Sequence, residues 1–178
     1  MHLKMKLTYI LFFFITFKIL SAQEWETPLI DGYGEIKYFK DAAEQPDPSL
    51  EYNLIFDIKD IKEKNGVNKG LWSVARLLNM FSVANVSNDK ISVILAIHGE
   101  ATHVVLSDEK HKNQFEKPNP NLNLLKQLKE SGVKLYVCSQ ATAARNISNK
   151  DLNPYVIPAL SAMSVLSNYQ IKGYSLMP

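Results

Sequence analysis

The sequence predicts an α/β fold: a small, mainly parallel sheet flanked by helices. Two observations carry this. From residue 52 onward, strand-like runs alternate with helix-like runs, the order that gives crossover connections and parallel strands. The central strand-like runs are also apolar almost without interruption, as in Tyr52–Ile58 (Y-N-L-I-F-D-I) and Lys90–Gly99 (K-I-S-V-I-L-A-I-H-G). Such runs suit strands covered on both faces.

The chain of 178 residues divides into three parts: 1–22, 23–51 and 52–178. Residues 1–22 read as an export signal. Lys4 and Lys6 make a basic start, Leu7–Phe17 is apolar except for Thr8 and Thr16, and Ser21-Ala22 offers a small-residue cleavage point. The alternative is an uncleaved anchor, for which this apolar run is short. Export places the protein in the periplasm or outside the cell, with no membrane span after cleavage. In a eukaryotic route, Asn85-Val86-Ser87 and Asn146-Ile147-Ser148 would be glycosylation acceptors. The first 22 residues hold three of the 20 Lys and Arg and none of the 18 Asp and Glu, so the remainder carries 17 against 18, a formal charge of −1. No basic stripe remains for nucleic acid or anionic lipid.

Residues 23–51 form an arm punctuated by Pro28, Gly32, Gly34, Pro46 and Pro48, with Ile36–Phe39 as a short edge strand. It is expected to lie along the domain or to reach a neighbouring subunit. Tyr52–Ile58 is the first core strand. Asp57 near its end reads as a loop-entry carboxylate, because no glycine-rich phosphate loop follows it. Asn68–Val86 is the first helix, with Leu71, Val74, Ala75, Leu78 and Phe81 on one face and Asn79 beside that stripe. Lys90–Gly99 is the second core strand. Residues 104–120 are polar and predict an irregular surface excursion. Asn121–Ser131 is a helix with Leu122, Leu125 and Leu128 facing inward and Gly132 as its C-terminal cap. Val133–Cys138 is the third core strand, Ala159–Gln170 a last helix, and Tyr174–Met177 a final strand.

Chemistry concentrates at two strand ends. Cys138, the one cysteine in the chain, falls where V-K-L-Y-V-C passes into helix-favouring S-Q-A-T-A-A-R. Ligands gather at the C-terminal ends of parallel strands, and the amides of a following helix favour a thiolate. A buried, inert cysteine is the competing reading. At the second strand end, His98-Gly99-Glu100 is open to three readings. It is a strand-end turn, a lining of the Cys138 cleft, or, with His103, a metal site that lacks the H-E-x-x-H spacing.

Three stretches together resemble the DsrE/DsrF-like family, with its YchN-like α/β fold of flavodoxin-like layering. They are Ile91–Ala101 (I-S-V-I-L-A-I-H-G-E-A), Gly132–Ala141 (G-V-K-L-Y-V-C-S-Q-A) and Ala162–Leu176 (A-M-S-V-L-S-N-Y-Q-I-K-G-Y-S-L). The arm and signal look like those of an exported branch. The resemblance implies about five strands and assembly into a dimer, trimer or hexamer. It further implies sulfur carriage as a persulfide on Cys138, in the manner of a sulfurtransferase-like carrier with no metal or organic cofactor. The partner would be a small-molecule or protein sulfur donor or acceptor. His98, Glu100, Ser139 and Asn79 are expected to line the binding site, with His98 able to serve the thiol as base. The competing function is a non-catalytic oligomeric module that binds a small molecule or partner segment and in which Cys138 is structural.

Overall fold

A computed structural model describes residues 24–178; the segment read as an export signal, residues 1–22, lies outside the described residues. Five strands form one sheet: β1 (Tyr52–Ile58), β4 (Ile91–Ile97), β5 (Lys134–Cys138), β6 (Ile157–Ala159) and β7 (Ser175–Met177). Their spatial order is β6-β5-β4-β1-β7, and every neighbouring pair is parallel. A two-stranded hairpin, β2 (Glu63–Lys64) and β3 (Val67–Asn68), turns at Asn65-Gly66 and leads into helix α1 (Lys69–Val83).

Alternation along the strands sorts their side chains onto two faces. Leu54, Phe56 and Ile58 of β1, Val93, Leu95 and Ile97 of β4, and Leu135 and Val137 of β5 enter the larger core. That core is closed by α1 (Lys69–Val83) and α3 (Leu122–Glu130). Ile55, Ile94, Ala96 and Cys138 face the other way and pack beneath α5 (Ala162–Ile171). The apolar runs read from the sequence are therefore strands buried on both sides.

The arm belongs to this packing. The expected edge strand at Ile36–Phe39 reduces to a single antiparallel bridge between Glu26 and Ile36. Ile30 is fully buried in the larger core. Gly34 has φ +63°, and a Cβ there would stand 2.2 Å from the Arg76 amide nitrogen, so the arm's backbone lies directly on that of α1. The Arg76 side chain covers the contact. Its guanidinium stacks on Trp72 at 4.2 Å and on Trp25 at 5.6 Å, and Nε donates to the Glu35 carbonyl.

Three further expectations need correction. The polar stretch after Leu106 contains a helix, α2 (Asp108–Phe115), capped by the Ser107 hydroxyl, which accepts from the Lys110 amide. Asn119 holds it down by donating from Nδ2 to the Val104 and Leu106 carbonyls and by donating its backbone amide to Asp108. Along α3, Leu124 takes the buried place expected of Leu122, beside Leu125 and Leu128. The last helix starts at Ala162 behind Ser161 as N-cap, because β6 occupies the preceding residues.

Candidate site at the strand ends

Cys138 ends β5 and caps α4 (Ser139–Ala143), so its side chain leaves the sheet where the chain changes direction. The residue is 6% exposed and rests on Ile94, Ala96, Ala162 and Val165. Burial pushes the thiol up. The backbone N–H groups of Ala162, Ala141 and Gln140 and the Ser161 hydroxyl lie close to the sulfur, and together they outweigh burial and hold the thiol below its ordinary value. The starts of two helices thus meet at one sulfur: α4, which follows Cys138 directly, and α5, which arrives through Ser161 and Ala162.

The sign of the effect gives a prediction. A depressed thiol favours the folded anion, so it adds stability above the unfolded thiol value, and that stability is lost as pH falls through the folded value. Alkylation of Cys138 by iodoacetamide should therefore reach half its plateau rate at a lower pH in the folded protein than in the unfolded chain. The measurement is the rate against pH, with urea-unfolded protein as reference. One cysteine makes the label unambiguous.

His98 continues β4 by one residue. Its amide donates to the Ile58 carbonyl at 2.9 Å, and its Nε2 meets Asp57 Oδ1 at 2.6 Å. Gly99 follows with φ +55° and passes close beneath Lys59. Asp57 pairs with Lys59 as well, at 3.1 Å. Burial raises the Asp57 carboxyl, but hydrogen bonds from His98 and Lys59 bring it below the usual carboxylate range. The sequence treated Asp57 only as a loop-entry group. Its pairing with His98 depends on the register of β1 against β4, which local spacing does not show.

Glu100 sits farther out and accepts from Arg145 Nη2 at 3.1 Å, while Arg145 Nη1 donates to the Ala141 carbonyl of α4. Beside it opens a cleft of about 340 Å³, walled in part by Ile61, His103, His111 and Phe115. His103 meets the Phe115 ring edge-on at 5.2 Å. Burial, then the Arg145 charge, lowers its pKa and favours the neutral imidazole. Among the described residues, no group of three or more His, Cys, Asp and Glu is arranged to hold a metal ion. Ser139 opens α4 next to Cys138, and its carbonyl accepts from the Thr142 hydroxyl.

Asn79 is not at this site, a correction to the binding set read from the sequence. It is fully buried on α1, where Oδ1 accepts from the Leu29 and Ile30 amides and Nδ2 donates to the Tyr33 and Gly34 carbonyls. Its polar atoms serve the arm. Ser161 and Ala162 are the reverse case: sequence reasoning missed them, although a Ser before the helical run A-M-S-V-L is a recognisable cap signal.

No helix among the described residues is long and apolar enough to cross a membrane. No curated protein sequence matches the chain. Two similar solved structures are a protein of unknown function, MTH1491, from Methanobacterium thermoautotrophicum and the ychN protein from E. coli. The first is 18% identical with a TM-score of 0.47, covering 71% of this chain and 98% of that one. The second is 15% identical with a TM-score of 0.44, covering 70% and 96%. A family model matches residues 73–178, a span that contains His98, Glu100 and Cys138 but neither Asp57 nor the arm. By that match the chain belongs to the DsrE/DsrF-like family.

Proposed function

We propose that this protein is an exported member of its family that takes up sulfane sulfur on Cys138 as a persulfide and passes it to an acceptor. The observation that carries the reading is the place of Cys138 at the end of β5 and the start of α4, where three backbone amides and a hydroxyl lie close to its sulfur and favour the anion that such chemistry needs. In the loading step the thiolate attacks the terminal sulfur of a persulfide or polysulfide. A new S–S bond forms, the donor's S–S bond breaks, and its electron pair leaves on the remaining thiolate. Reversal onto an acceptor thiolate unloads the carrier. No net oxidant or reductant enters.

Export rests on the basic-then-apolar pattern of residues 1–22. Assembly into a homo-oligomer is supported by the apolar side chains displayed along α5 and next to it, where Leu160, Met163 and Ile171 are 74%, 76% and 84% exposed. Leu160 and Met163 flank the Ser161-Ala162 pair that faces the sulfur, so a docked chain would border the reacting atom.

The test is exposure of the folded protein to polysulfide, followed by intact-mass analysis. The expected result is an adduct of about 32 Da, one sulfur by thiol exchange, on the wild type and none on Cys138→Ala. An unmodified wild type would rule the carrier out. The second reading, a binding module with a structural cysteine, is favoured by the aliphatic packing of Cys138. It expects Cys138→Ala to keep ligand binding with a mild loss of stability.

A further inference from the structure

Three strand ends stand side by side at this site, and their side chains leave the sheet on the same face. Ile55, Ile94, Ala96 and Cys138 share one packed cluster, which fixes that face. Asp57 is two residues beyond Ile55, and His98 is two residues beyond Ala96, so alternation puts both on it. The register pairs Ile58 with Ile97 and Ile97 with Val137. Carried one residue past the last paired position, the same register sets His98 opposite Cys138 on the neighbouring strand, where parallel strands run about 4.8 Å apart. His98 therefore lies between Asp57 on one flank and Cys138 on the other.

The hydrogen bonds orient the ring. An ionised Asp57 only accepts, so the 2.6 Å contact requires the proton on His98 Nε2. Nδ1 makes no hydrogen bond among the described residues and is the nitrogen left for the cysteine side. Lys59 on the second Asp57 oxygen holds the carboxylate in place.

We propose that Asp57 is a positioning residue that sets His98 beside Cys138 so that His98 delivers a proton to the departing sulfur. The inference rests on the carrier reading and deepens it. The amides around Cys138 already favour its thiolate, so a base adds little there. What those amides do not supply is an acid for the sulfur that leaves, and exchange slows as the leaving thiol becomes more basic. In the step, the Cys138 thiolate bonds to the donor's outer sulfur and the donor S–S bond breaks. The electron pair goes to the inner sulfur, which takes the proton from imidazolium Nδ1 and departs as a neutral thiol. His98 is left neutral, with Nε2–H still on Asp57. Of the three residues, His98 and Cys138 lie within residues 73–178, the span of the family match, and Asp57 lies before it.

The test compares three reagents on the single cysteine: iodoacetamide, which releases iodide; 5,5′-dithiobis(2-nitrobenzoate), which releases a weakly basic thiolate; and bis(2-hydroxyethyl) disulfide, which releases a strongly basic one. Asp57→Asn and His98→Gln should slow the hydroxyethyl disulfide by about tenfold, a modest share of the usual effect of a positioned acid, and leave the other two within about twofold. Asp57→Glu should recover part of the loss. Equal slowing with all three reagents, or none with any, overturns the positioning role and leaves the carrier standing. A wild-type Cys138 that iodoacetamide does not alkylate in the folded protein overturns the carrier and this inference together. Circular dichroism of each variant establishes folding, and His98→Gln tests the arrangement independently if Asp57→Asn does not fold.

Discussion

Replacing Gly34 with alanine is expected to destabilise the protein by about 3–5 kcal/mol, combining overpacking with the strain of a side chain in the left-handed region. The obstacle is backbone, which cannot rotate away. A Cβ at Gly34 would stand 2.2 Å from the Arg76 nitrogen, 2.5 Å from the Ala75 carbonyl carbon and 2.8 Å from the Ala75 Cβ, all in the middle of α1. The arm must lift, and lifting it withdraws Ile30 from the core and separates the Asn79 amide from its four partners. Gly32 is the internal control. Its φ of +77° is as unusual, but a Cβ there would meet nothing within 4 Å, so Gly32→Ala should cost only about 1 kcal/mol of backbone strain. Urea midpoints of the two variants measure the difference, and cleavage of the arm by a nonspecific protease reports whether it has come away. Equal midpoints would mean that the arm does not rest on α1 as described.

Asn79→Ala is expected to cost about 3–4 kcal/mol, because buried backbone groups lose their partners and water cannot replace them. The most sheltered are the Ile30 amide and the Gly34 carbonyl. Asn79→Asp sharpens the test. A carboxylate there would still accept from Leu29 and Ile30, but it would point its second oxygen at two carbonyls. Burial and repulsion raise such a carboxyl above its unfolded value, so the folded state prefers the protonated acid, and the variant should regain stability as pH falls toward about 4. Asn79→Ala should show no such recovery relative to wild type. Because both substitutions release the same segment, Gly34→Ala and Asn79→Ala together should destabilise by clearly less than their sum.

The parts of the fold that the sequence revealed are those with a strong local period. β1, β4 and β5 are apolar runs too short for helices and rich in branched side chains, and α1 and α3 carry apolar stripes, so composition and geometry agree. What stayed hidden has little apolar content of its own. α2 is D-E-K-H-K-N-Q-F and buries only His111, so no stripe marks it. β6 is three residues long and contains Pro158, which argues against a strand until its neighbour is known. Asn79 looked like a polar group available to a site because its partners lie some 45 to 50 residues earlier in an arm with no periodicity. At the strand ends, Cys138 and His98 could be read from the change of pattern that follows each. Asp57 could not be assigned to His98, since a shift of one residue in the pairing of β1 with β4 would send it into the opposite core.

The two borders of the sheet, β6 and β7, are only three residues each, and Pro158 removes a donor from one of them. A chain seeking to prolong the ladder finds almost no template there, which guards an open sheet against stacking edge to edge into fibrils. A second copy docking on the exposed apolar side chains beside α5 would therefore meet this one through side-chain contacts and not by prolonging its ladder.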